Sequence, residues 1–211
     1  MSRKLMTLLG SVLACLALTG ITAAAAQAEG IFEATEYPAT ISGEQTETFE
    51  FEVEEVGTME CEVATVMGDM TGASSAIELV PDFEECTFSG LEATFVNEGC
   101  ALMVYAGEEN EESEEFESSA DVVCETEAQK FKWHIPGTNC ILSAGAGVKL
   151  KDLSIKPNIK DLDVTIRAKK VDITAAIENT PPKKCGLPTG QVKVTVKGGI
   201  TVGKGKLKIL K

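Results

Sequence analysis

The chain has 211 residues, of which 33 are acidic and 19 basic, for a net charge of −14. Such a balance argues against nucleic acid as a partner, because phosphate binding rests on clustered lysine and arginine. A single histidine and a single tryptophan leave little for imidazole chemistry or for the aromatic platforms of sugar clefts.

The N-terminus reads as an export signal. Arg3-Lys4 feeds the apolar run from Leu5 to Ile21, and Ala26-Gln-Ala28 supplies the small residues a signal peptidase needs. Residues 1–28 are therefore expected to be removed, leaving 29–211 as the mature chain. An uncleaved membrane anchor is the alternative, since Leu5 to Ala26 is long enough to span a bilayer. A lipid anchor on Cys15 is a weaker one, because Leu13 fits a lipobox badly. No later apolar run is long enough to cross a membrane as a helix, so a secreted or surface-associated protein is expected.

Strand periodicity dominates the mature chain. Phe49-Glu-Phe51-Glu-Val53 and Met59-Glu-Cys61-Glu-Val63 alternate apolar with acidic residues around Glu54-Glu-Val-Gly57, the pattern of a half-buried hairpin. Ile77 to Val80 follows, stopped by Pro81, and then Leu91 to Val96. Asn97-Glu-Gly99 predicts a turn that folds Cys100 to Tyr105 back as a hairpin partner.

Seven glutamates crowd the ten residues from Glu108 to Glu117, too charged to pack, and predict a solvated excursion between strands. Ala120 to Cys124 and Phe131 to Ile135 resume the strand pattern. Beyond them lysine replaces glutamate: Val148 to Lys151, Leu153 to Lys156, Leu162 to Arg167, Val171 to Thr174, Val192 to Lys197 and Lys206 to Ile209 each have one apolar and one wet face. Ala175 to Glu178 is at most a helical turn, and Thr180 to Pro188 an irregular loop. About ten short strands imply an all-β fold, an antiparallel β-sandwich or barrel in one domain or in two packed lobes, 29–129 and 130–211.

The charge changes sign between those two segments. Twenty-eight acidic residues and no basic one lie between Glu29 and Gln129, against 17 basic and five acidic from Lys130 to Lys211. Three explanations are open: solubility alone, attraction between the two halves within a molecule, or salt-dependent attraction between molecules. The basic half also suits an anionic cell-wall polymer.

Seven cysteines less Cys15 leave six: Cys61, Cys86, Cys100, Cys124, Cys140 and Cys185. An even set in an exported chain reads as three disulfides, and sequence leaves the connectivity open. The preferred pairing is Cys61 with Cys86, Cys124 with Cys140, and Cys100 with Cys185, the last tying the acidic half to the basic one. Metal ligation is disfavoured, because there is no CxxC pair and His134 has no second imidazole to join it.

Catalytic signatures are sparse. There is no Gly-x-Ser-x-Gly elbow, and His134 is expected to face solvent opposite Trp133. Carboxylates are so numerous in the acidic half that a pair suited to hydrolysis carries no information. The glutamate run lacks the Asp-x-Asp-x-Asp-Gly spacing that shapes a calcium loop, so no cofactor is expected.

Several segments, among them Phe32-Glu-Ala-Thr-Glu-Tyr-Pro-Ala-Thr-Ile41, Met59-Glu-Cys61-Glu-Val, Glu85-Cys86-Thr-Phe, Glu98-Gly-Cys100, Asp121-Val-Val-Cys124 and Asn139-Cys140, resemble a family of exported, six-cysteine, uncharacterised proteins of soil actinobacteria. The likeness runs from residue 30 to about 145 and implies export, disulfides and a β-rich fold. It implies no activity. The expectation is a secreted or cell-surface protein that binds or builds envelope structure without catalysis; the alternatives are a secreted hydrolase with a carboxylate pair and a self-assembling surface protein.

Overall fold

The computed structural model describes residues 30–179, 187 and 189–210; the signal segment with Cys15, and Cys185 with most of its loop, lie outside them. Among the described residues there are thirteen strands and no helix. Five of the strands are long: β2 (Ala39–Val53), β3 (Gly57–Met70), β4 (Ala76–Phe88), β11 (Asp163–Asn179) and β12 (Gly190–Val202). They lie side by side in the order β4-β3-β2-β12-β11, all antiparallel.

This curved sheet is closed twice. Near one end, β6 (Cys100–Asn110), β7 (Glu115–Cys124) and β10 (Lys149–Asn158) bridge from β4 to β11, completing an eight-stranded barrel. Near the other end, β5 (Leu91–Asn97), β8 (Lys130–Ile135) and β9 (Cys140–Gly145) bridge the same two strands, again completing a circuit of eight. The barrel therefore divides into two lobes that share five strands. A small ribbon of β1 (Ile31–Ala34) with β13 (Leu207–Leu210) lies at the end closed by β6, β7 and β10, burying Phe32, Leu207 and Ile209. We call the two parts the ribbon lobe and the aromatic lobe.

Pro81 does not stop β4. Residues 76–79 pair with β6 and residues 86–88 with β5, while β3 runs along the other edge. Pro81 sits in the gap where β4 changes neighbours, the one place in an inner strand where a missing N–H costs no ladder bond. The Asn97 carboxamide donates to Pro81 O (3.3 Å) and Cys100 O (3.0 Å) and accepts from Cys100 N (2.8 Å), binding the edges of the gap together. The same residue makes the turn after β5, but β5 and β6 do not pair as a hairpin. One pairs with β4 and β8, the other with β4 and β7.

Other departures from the sequence reading share a cause. Leu162 to Arg167, Val171 to Thr174 and Ala175 to Glu178 fall almost wholly in one strand, β11, whose alternation is interrupted by a bulge between Ala168 and Val171. Likewise β12 continues past Lys197 through Gly198-Gly199, where its register shifts against β2. Bulges add twist and bend a strand, which closing a barrel requires.

The glutamate run is not an excursion either. It is the β6–β7 hairpin, with Glu111 to Glu114 at its tip and Phe116 buried. Gly107 is essential to it, since a Cβ there would lie 1.6 Å from Glu117 O. Removing Glu108 to Glu117 would therefore take Phe116 out of the core.

Cys61–Cys86 is bridged as expected, across β3 and β4. The preferred Cys124–Cys140 and Cys100–Cys185 pairs are corrected by a Cys100–Cys124 bridge across β6 and β7. Each of these two bridges joins residues directly opposed in an antiparallel ladder, which brings their Cβ atoms close. Cys140 is also disulfide-bonded.

Candidate functional site

The interiors of the two lobes differ. Phe49, Phe51, Phe83, Phe95, Phe131 and Trp133 point into the aromatic lobe and pack ring on ring. Phe83 meets Phe49, Phe51 and Phe95 edge-on at 5.3, 5.5 and 5.1 Å, and Trp133 lies 5.0 Å from Phe95 and 5.1 Å from Phe51. Aromatic pairs of this kind contribute about 0.5–1.5 kcal/mol each beyond area burial. Six of the chain's nine Phe and Trp are in this cluster, so the ribbon lobe must be filled mainly by aliphatic residues.

They do not fill it. A cavity of about 70 Å³ lies in the ribbon lobe against Phe49 and Phe83, the upper faces of the aromatic cluster. Its walls are Val66, Leu79, Leu102, Val104, Leu150, Leu153, Ile166, Val196 and Ile200; Thr65, the one polar residue that borders it, is exposed on the outer face of β3 between inward-facing Ala64 and Val66. The hollow arises where small residues face inward: Ala64 on β3, Ala120 on β7, Ala168 on β11 and Gly198 on β12. Gly198 has φ +153°, and a Cβ there would lie 2.5 Å from the Phe49 ring. Glycine lets that ring lie flat on the backbone and sets the floor of the cavity.

The volume decides what the cavity can hold. One water needs roughly 10–15 Å³ and two to four polar partners, whereas an apolar cavity of about 150 Å³ stays dry and admits benzene. At about 70 Å³ there is room for water, but no polar side chain faces in to satisfy it. The chamber suits a small uncharged apolar group.

Polar groups are organised differently, along the outside. Eight ion pairs are formed among the described residues. Six join the acidic segment to the basic one: Glu33–Lys208, Glu47–Arg167, Glu50–Lys197, Glu98–Lys132, Glu115–Lys169 and Asp121–Lys149, at 2.6 to 3.6 Å. Most of them follow the seams where acidic strands meet basic ones, at β1–β13, β2–β12, β5–β8 and β7–β10. Exposed pairs are worth about 0–1 kcal/mol, so they select register more than they stabilise. Attraction between the halves thus operates within one molecule.

A half-buried polar cluster lies on the aromatic lobe, where Lys130 and Ser143 both donate to Glu178 Oε1, the serine at 2.7 Å. Burial pushes the Glu178 carboxyl up, but those hydrogen bonds and the lysine charges outweigh it and hold the group below its ordinary value. Glu115 behaves alike under Lys169 and Ser154. Hydrogen bonds from Lys193 and Thr195 lower Asp172, while Asp172 and Glu50 raise Lys193 and Lys197. Each of these shifts favours the charged form, the reverse of what a general acid needs.

Ser143 is only 3% exposed, which keeps its hydroxyl out of a substrate's reach in this structure. His134 is exposed opposite buried Trp133, as expected, and its ladder partners are Thr94 and Ile141. No group of three or more His, Cys, Asp or Glu suited to a metal ion occurs among the described residues.

Sequence reasoning missed the cavity. Its lining comes from many strands, and Ala64, Ala120 and Ala168 carry no signal until the register shows that they face one another. Comparison of the chain with protein-family models, curated proteins and solved structures finds no match.

Proposed function

We propose that this is an exported, non-enzymatic binding protein whose ribbon lobe takes up a small uncharged apolar molecule, or the apolar end of a larger one. The observation that carries the reading is the apolar cavity at the division of the barrel. Disulfides between directly opposed strands support it, because a bridge over about 25 residues restricts the unfolded chain by roughly 3 kcal/mol and stiffens the wall. They also suit an oxidising compartment, and no described helix is long and apolar enough to cross a membrane. The disulfide-bonded state of Cys140 extends the framework beyond these two bridges in this reading.

A hydrolase acting through a carboxylate pair finds less support. Carboxylates such as Asp69 and Glu78 line a groove on the outer wall, and none lines the apolar cavity.

Thermal melting under xenon, and with short alkanols and short-chain fatty acids, tests the proposal. A ligand present at 100 times its Kd stabilises by about 2.7 kcal/mol, a rise of roughly 5–10 °C for a protein of this size. Ala168→Leu, which fills the chamber, should abolish the rise. No shift with any probe, or the same shift in the filled variant, removes the reading.

A further inference from the structure

Independently of the cavity, the outer wall carries a surface and its complement. On β3 and β4 the outward positions are mostly acidic or threonine, but Met67 and Val80, register partners, break the pattern and are 59% and 45% exposed. Two adjoining hollows of about 330 and 380 Å³ meet at Val80 and Glu78. Together they form a groove across β3, β4, β6 and β7 with an apolar floor and Asp69, Glu78 and Glu125 at its edges.

The opposite chemistry stands at the tip of the β10–β11 hairpin. Ile159 is 80% exposed, the most exposed of the large apolar residues described. The turn is held by Asn158 Nδ2 donating to Asp161 Oδ2 (2.8 Å) and by Leu162 at φ 50°. The loop after β12 is bonded to it through Gly205 N to Asp161 O (3.0 Å) and Lys206 N to Leu162 O (2.9 Å). That sets the loop carrying Lys204 and Lys206 against the turn carrying Ile159 and Lys160, and none of the three lysines takes part in the eight ion pairs.

We propose that the protein associates with itself by seating the Ile159 tip of one copy in the Met67–Val80 groove of another, with the tip lysines against Asp69, Glu78 and Glu125. Both halves of the match, apolar and electrostatic, are present in the same chain.

Sedimentation velocity of the disulfide-bonded protein over a range of concentrations, at low and high ionic strength, tests this. The sedimentation coefficient should rise with concentration at low salt and stay monomeric at high salt, since exposed charges are screened beyond about 8 Å. Ile159→Asp and Glu78→Lys should each weaken association about tenfold or more by placing like or unpaired charge in the contact. Both positions are exposed, so melting temperature should not change. Mixing Lys160→Glu protein with Glu78→Lys protein should restore association. A monomer at every concentration at low salt would overturn the proposal, as would association that neither substitution weakens. Binding of anionic vesicles that Ile159→Asp abolishes, without self-association, would also overturn it and assign the tip to a membrane.

Discussion

The aromatic lobe and the ribbon lobe are closed over the same five strands by three strands each, yet one is solid and the other hollow. The difference lies in the size of the inward side chains. β5 and β8 contribute Phe95, Phe131 and Trp133, while β7 contributes Ala120 and β11, where the ribbon lobe begins, contributes Ala168. One backbone plan thus supplies a packed anchor and a chamber, and Phe49 and Phe83 serve as ceiling of the first and floor of the second.

The strongest way to break this comparison is to hollow out the solid lobe. Trp133→Ala removes a ring that touches Phe51, Phe83, Phe95 and Phe131 and should cost about 3–5 kcal/mol in denaturant unfolding. A cost below about 1 kcal/mol would show that the aromatic lobe is not close-packed.

A second pair of variants sharpens the contrast through its sign. Ala144→Val adds volume to the aromatic lobe, where overpacking should destabilise by about 1–3 kcal/mol. Ala120→Val adds the same volume beside the chamber and should be neutral or stabilising by up to about 1 kcal/mol. Equal losses at both sites would mean that the lobes are packed alike.

The smallest effect is electrostatic. Glu115, Asp172 and Glu178 are held below their ordinary values by lysine partners, so each contributes stability that is complete above the unfolded value, 4.5 for the glutamates and 3.8 for the aspartate. That contribution is lost as pH falls through the lowered folded values. Glu178→Gln should therefore lower stability at neutral pH, by a small amount for this partly exposed group, and flatten the acid limb below about 4.5, so that variant and parent converge at low pH. An unaltered acid limb would show that the Lys130–Glu178 pair contributes nothing.

Much of the outer pattern was legible before the fold was known. The Phe49–Val53 and Met59–Val63 segments pair as read, with Phe51 opposite Met59, and Cys61–Cys86 follows from the next ladder. The division of the barrel was not legible, because its signals resemble strand ends: Pro81 in a gap between partners, Gly198-Gly199 at a register shift, and Lys169-Lys170 inside the β11 bulge. Cysteine pairing failed at Cys100 and Cys124 for a related reason. It depends on β6 lying beside β7, and the glutamates between them concealed a hairpin. The cavity was the least visible of all, since it consists of what several alanines leave unfilled.

The central claim, a dry apolar chamber confined to one lobe, is tested most directly by methyl NMR during titration with xenon. Methyl signals of Ala120, Val196 and Ile200 should move with saturation, while those of Leu142 and Ile177, buried but away from the lining, stay fixed. Absence of any saturable change, or equal movement in both sets, would contradict the account.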